Sequence, residues 1–127
     1  MRRIVIDMQS GLTARGYERI LLSDMAEVQP IVSDGPEATV ELCKLFRPYA
    51  LLMEVTGYAP WQLDARLRIW ETVRRLVPGC RCVLVVDENA DEALADAVVR
   101  CKKEGRIDAF LFPSSSDKFL VALLETL

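Results

Sequence analysis

Residues 48–57 read Pro48-Tyr49-Ala50-Leu51-Leu52-Met53-Glu54-Val55-Thr56-Gly57. The apolar positions run consecutively instead of alternating, which suits a strand buried on both faces of a parallel sheet. The run carries one carboxylate near its end, Glu54, and then turns at Gly57. In open α/β sheets the ligand crevice lies at the carboxyl ends of the strands, so Glu54 is a candidate site residue from its position alone.

Four further apolar runs surround this one: Ile4-Val5-Ile6, Val28 to Val32, Cys82 to Val86, and Ala109 to Phe112. Pro30 lies inside the second and cannot donate to a ladder, which places that strand at an edge. Amphipathic segments alternate with the runs. Leu12 to Ser23 carries Leu12, Tyr17, Ile20 and Leu21, with Gly16 as a weak point. Asp34-Gly35-Pro36-Glu37 starts a second helix with Pro36 in its first turn. Trp61 to Val77 aligns Leu63, Leu67, Trp70 and Val73 on one stripe. Its arginines Arg66, Arg68, Arg74 and Arg75 read as a solvated face. Asn89 with Glu92 three residues later has the form of a capping box, opening a helix with Ala93, Leu94, Ala97, Val98 and Cys101 inward. Ser114-Ser115-Ser116 offers cap oxygens to a last helix carrying Phe119, Leu120, Leu123 and Leu124.

Strand and helix thus alternate five times. With right-handed crossovers this predicts an α/β fold, a doubly wound five-stranded parallel sheet in the order 2-1-3-4-5 with helices on both faces. The whole chain, 1–127, reads as one domain.

Composition narrows the function. The net charge of −3 argues against direct nucleic-acid binding, which needs a basic footprint. No run approaches the ~18 apolar residues of a membrane span, and Asp7 interrupts the first run too early for a signal peptide. The expectation is a cytoplasmic protein with no membrane partner. The chain has no histidine, which removes histidine bases and histidine metal ligands. Cys43, Cys80, Cys82 and Cys101 lack the paired spacing of a zinc site and read as buried, reduced thiols.

The predicted topology brings Asp7, Glu54 and Asp87 to the carboxyl ends of strands 1, 3 and 4, around one acidic crevice. Like charges this close call for a cation or for hydrogen-bond donors. Mg²⁺ on Asp7 and Glu54 is one answer. The plainer one is that strand-end acids cap the next turn, as Asp87-Glu88-Asn89 can. Glycine-rich dinucleotide fingerprints, P-loops and nucleophile elbows are absent, and no catalytic constellation can be assembled, so an enzyme is not expected.

Three stretches carry a resemblance to a known family: Ile31 to Ala38, Pro48 to Val55, and Gly105 to Phe112. In this order and spacing they resemble the receiver domain of bacterial two-component response regulators, over nearly the whole chain. The resemblance implies a phospho-accepting aspartate on strand 3, an acidic pair after strand 1, a hydroxyl residue after strand 4, a lysine after strand 5, and Mg²⁺. Position by position, Asp7 matches the first acid and Met8 stands in place of the second. Glu54 stands at the acceptor position, Asp87 at the hydroxyl and Pro113 at the lysine. Tyr58 stands where a proline is usual, while Phe110 matches the strand-5 switch aromatic.

Glutamate is one methylene longer than aspartate, so its carboxylate overshoots the in-line position by roughly one bond length. Loss of the lysine removes a cation that would stabilise phosphoryl oxygens. The resemblance therefore implies a degenerate receiver in a phosphorelay pathway, acting by protein–protein contact. Its partners would be a sensor histidine kinase or an effector domain, or a second copy meeting helix 4, strand 5 and helix 5, where Arg100, Lys102, Lys103, Lys118 and Phe110 lie. The chain ends with the fifth helix, so it either acts alone or precedes an effector domain. Two alternatives stand beside this: a working receiver with atypical chemistry at Glu54, and a small flavodoxin-like domain that binds a ligand or metal.

Overall fold

The computed structural model of the chain describes all residues from Met1 to Leu127. The elements in order are β1 (Arg2–Asp7), α1 (Gly11–Asp24), β2 (Val28–Val32), α2 (Pro36–Phe46), β3 (Ala50–Val55), α3 (Leu63–Leu76), β4 (Arg81–Val86), α4 (Glu92–Lys103), β5 (Ala109–Leu111) and α5 (Asp117–Glu125). All neighbouring strands are parallel, in the order β2-β1-β3-β4-β5. The predicted sheet and strand order are those observed.

Period-two geometry divides each strand between two cores. Val5, Leu51, Met53, Leu84 and Val86 face α3 and α4, packing on Leu67, Trp70, Val73 and Val98. Ile4, Ile6, Leu52, Val83 and Val85 face α1 and α5, packing on Ala14, Leu21, Leu120 and Leu124. With both faces covered, every second residue cannot be polar, which is why the runs read as continuous. All four cysteines are buried and free. Pro30 sits on β2, an edge strand, opposite Ile4.

Register aligns the carboxyl ends. Asp7 of β1 pairs with Met53 of β3, and Glu54 pairs with Val85 of β4. The turns after β1, β3, β4 and β5 therefore share one rim.

Local chemistry starts α2 and α5 as expected, supplies α1 with a cap that the sequence reading did not name, and departs from expectation at α4. Ser10 accepts from the Thr13 N–H at α1, Pro36 occupies the first turn of α2, and Ser116 accepts from the Phe119 N–H at α5. At α4 the cap is Asp91, whose Oδ1 accepts from the Leu94 N–H at 3.0 Å, not Asn89. Asp87 has already drawn the Asn89 and Ala90 N–H groups into a turn, through Oδ1 contacts of 2.9 and 3.3 Å. That turn delays the helix by two residues. The inward stripe of α4 shifts with it, so Ala95 is buried and Ala93 exposed. On α1, Leu12 projects into solvent, 87% exposed. On α3, Arg66 is wholly buried, against the solvated face its sequence neighbours suggested.

Candidate functional site

The rim at the carboxyl ends of the strands has a sealed half and an open half. In the sealed half Asp7 is 1% exposed and Arg66 0%. The Arg66 Nη1 donates to Asp7 Oδ2 at 2.7 Å, and Nη2 contacts Asp7 Oδ1 at 3.3 Å. Nη2 also donates to the Asp7 carbonyl at 3.1 Å, and Nε donates to the Glu54 carbonyl at 2.7 Å. One guanidinium from the first turn of α3 thus binds the ends of both β1 and β3.

Two hydroxyls complete the sealed half. Thr39 Oγ1, on α2, donates to Asp7 Oδ2 at 2.6 Å. Ser33 Oγ lies 2.9 Å from Thr39 Oγ1 and donates to the Gly35 carbonyl at 2.8 Å, which ties the start of α2 to the same cluster. Both Asp7 oxygens are engaged, and the carboxylate carries a full buried charge partner. Buried ion pairs hold only when the remaining lone pairs and protons are also satisfied, and here the main-chain carbonyls and Thr39 do so.

The open half is a cavity of about 510 Å³ lined by Gln9, Glu54, Tyr58, Asp87, Asp91 and Leu94 among others. Glu54 is half-buried, and its Oε1 accepts from the Gln9 N–H at 2.7 Å. That bond bends the carboxylate back toward the β1–α1 turn. Asp87 is exposed and its Oδ1 serves the turn described above. Glu88 Oε1 accepts from Ser114 Oγ at 2.8 Å, tying the β4–α4 turn to the β5–α5 turn. Burial pushes the Tyr17 hydroxyl up to about 12, and the nearby Glu54 charge adds to it.

The three carboxylates singled out from the sequence do not converge on one point. Glu54 and Asp87 share the open cavity, whereas Asp7 is not among its lining residues. Nowhere do three acidic or cysteine side chains come together as a metal-binding group. Phe110 is half-buried on β5, with its ring centroid 5.5 Å from that of Phe112. Arg100, Lys102, Lys103 and Lys118 are exposed.

Arg66 is the site residue that sequence reasoning missed, although a signal was there. Leu63, Arg66, Leu67, Trp70, Val73 and Val77 follow the spacing of one helix face. Arg66 lies inside the apolar stripe, and a guanidinium in that place needs a buried carboxylate to answer it.

No family model matches the sequence, and no curated protein matches it. Solved structures do. A CheY-like response regulator receiver domain protein from Methanospirillum hungatei superposes with a TM-score of 0.75 at 14% identity, covering 99% of this chain and 92% of that one. The pilus assembly protein CpaE from Caulobacter crescentus gives 0.67 at 20% identity, covering 99% and 98%. A putative pilus assembly-related protein from Burkholderia pseudomallei gives 0.70 at 18% identity, covering 99% and 88%. The fold is that of the CheY-like receiver domain, over the full length of the chain.

Proposed function

We propose that the chain is a receiver-like signalling module of the two-component type, held in one state and acting by protein–protein contact. The observation that carries this reading is the buried pair of Asp7 and Arg66. A receiver that transfers phosphate through Mg²⁺ needs its strand-1 acid free to hold the ion. Here both Asp7 oxygens are taken by a guanidinium and a hydroxyl. The donor set does not fit a divalent ion beside Asp7, and a second cation there would meet a like charge at close range.

Glu54, at the acceptor position, supports the same reading. Its Oε1 is bonded to the Gln9 N–H, and no lysine follows β5, where Phe112, Pro113 and Ser114 stand instead. The carboxylate is a standing negative charge where a working receiver acquires one. Partners would read this fixed state across the exposed surface of the domain, with a kinase, an effector domain or a second copy as the candidates.

Two of the structures that share the fold are described as pilus assembly or assembly-related proteins, and both are more identical to the chain (20% and 18%) than the M. hungatei receiver (14%). This favours, as a second reading of the output, a partner in a protein assembly over a transcription factor.

The deciding experiment exposes the protein to a small acyl phosphate donor with Mg²⁺ and weighs it intact. No mass gain is expected. A gain of one phosphate that Glu54→Gln abolishes would replace this reading with that of a working receiver. In parallel, Mg²⁺ or Ca²⁺ is titrated while Trp61 and Trp70 fluorescence is followed. Saturation at sub-millimolar metal would favour the metal-binding alternative.

A further inference from the structure

Every strand is parallel and every helix runs back along the sheet, so strand starts and helix ends gather at one end of the molecule. Strand ends and helix starts gather at the other. Charge divides between these ends. Residues 1–6, 42–53 and 72–86, which supply the starts of the central strands β1, β3 and β4, contain no acid. The exposed charges in them are Arg3, Lys44, Arg47, Arg74, Arg75 and Arg81. The Tyr49 N–H donates to the Arg3 carbonyl at 2.7 Å and the Arg81 N–H to the Tyr49 carbonyl at 3.0 Å, which sets these strand starts side by side. Arg47 Nη2 donates to the Leu76 carbonyl at 3.2 Å and joins the end of α2 to the end of α3. The acids at this end, Asp24, Glu27, Glu104, Asp108 and Glu125, stand in the α1–β2 and α4–β5 connections and at the end of α5.

The carboxyl end is the converse. Residues 28–43, 48–65 and 82–99 contain no lysine or arginine, and they bring Asp34, Glu37, Glu54, Asp87, Asp91 and Glu92 to that end. The cations there are Arg66, sealed against Asp7, and Lys118 in the first turn of α5. Helix macrodipoles favour acids in first turns and bases in last turns, which accounts for Glu37, Lys44, Arg74, Arg75 and Glu92. They do not account for Arg3 and Arg81 at strand starts or for Glu54 and Asp87 at strand ends. Each end also exposes apolar surface: Leu45 and Leu76 at the basic one, 73% and 40% exposed, and Tyr58, 71% exposed, beside the open cavity at the acidic one.

Exposed charges on one face act together over roughly a Debye length, ~10 Å at 0.1 M salt, so they need not converge on a point to attract a face of opposite sign. We propose that the two ends dock on one another, the basic end of one copy of this chain seating on the acidic end of the next. A second copy is the occupant because one chain carries both faces, opposite in sign, and neither face is complementary to itself. The same contact covers Leu45 and Leu76 on one side and Tyr58 with the cavity mouth on the other. It buries different surface on each copy and leaves a free face at both outer ends, the arrangement that builds open-ended strings. The contact asks nothing of Glu54 as an acceptor, so its failure and the failure of the receiver reading are separate outcomes.

The test uses the whole chain and two double variants at exposed positions, Arg74→Glu with Arg81→Glu, and Asp34→Lys with Glu92→Lys. Sedimentation is followed from about 1 μM to about 1 mM protein, in about 0.05 M and about 1 M salt. At low salt the unaltered chain is expected to gain mass with concentration, past that of a dimer, and at high salt to return to the monomer. Each double variant has ends of like sign, and its self-association should weaken about tenfold or more. Mixed in equal amounts the two should associate again, because one now offers two acidic faces and the other two basic ones. A monomer at every concentration overturns the proposal, as does association that the variants leave unchanged, that stops at a dimer, or that the mixture fails to restore. Binding of the unaltered chain to duplex DNA or to phosphatidylglycerol vesicles, without self-association, assigns the basic end to another partner and also overturns it.

Discussion

Arg66 Nη1 lies 2.7 Å from Asp7 Oδ2, with both side chains sealed from solvent. Removing one partner of such a pair leaves an uncompensated buried charge, at a cost of about 3–5 kcal/mol. Arg66→Met is therefore expected to lower the unfolding free energy by about that amount in urea titration, and Asp7→Leu likewise. The double variant should recover most of the loss, because an apolar pair of similar volume leaves no charge behind. Additive losses in the double variant would mean that the two side chains do not act as a pair.

Thr39 tests the same network from a helix on its flank. Its hydroxyl donates to a charged acceptor at 2.6 Å, and a hydrogen bond to a charged group contributes about 1.5–3 kcal/mol. Thr39→Val keeps the shape and removes the donor, so a loss of that size is expected in the same titration. Thr39→Ser should lose less. Equal losses for valine and serine would assign the effect to packing.

The thiols set a prediction in pH. Burial pushes Cys43 and Cys80 up to about 12, and Cys82 well above its ordinary value. In the native protein these groups stay neutral where the unfolded chain begins to lose thiol protons. Their contribution is thus fully present below about 9, the ordinary value, and is lost as pH rises from there toward about 12. Thermal unfolding is expected to shift downward steadily over this alkaline range, and Cys→Ser variants at 43 and 80 should blunt the slope. At pH 8 a thiol reagent should modify these cysteines only at the rate at which the protein opens.

Glu54 carries a prediction about the open half of the crevice. Its carboxylate accepts from the Gln9 N–H, and Glu54→Gln keeps an acceptor oxygen there while removing the charge. Stability should change by less than about 1.5 kcal/mol, the scale of one ordinary hydrogen bond. Binding to a protein partner that reads the negative charge should fall about tenfold or more by calorimetry. Unchanged partner affinity would assign the contact to another surface.

The architecture was legible because burial on both sheet faces forces consecutive apolar residues, as in Ala50 to Val55 and Cys82 to Val86, and because Pro30 can stand only at an edge. The crevice was legible in position and not in pairing. Asp7, Glu54 and Asp87 do reach the same rim, yet the partner that withdraws Asp7 comes from α3, 59 residues away. Charge counts treat Arg66, Arg68, Arg74 and Arg75 alike, whereas helix phase separates the first, which falls inside the apolar stripe, from the others. The start of α4 was misplaced because Asn89 and Glu92 fit a capping box locally. The carboxylate of Asp87 instead takes the Asn89 N–H, which that box would have given to Glu92, a competition that spacing alone does not rank.

The guanidinium that answers Asp7 is part of the polypeptide and arrives with its synthesis. Its local concentration does not vary, no chelator can strip it and no shortage of ions can leave the place vacant. It also grips the carbonyls at the ends of β1 and β3, so displacing it would mean lifting the first turn of α3 from the sheet. The cation that neutralises this carboxylate is thus encoded in the chain itself, as much a part of the fold as the strands it ties together.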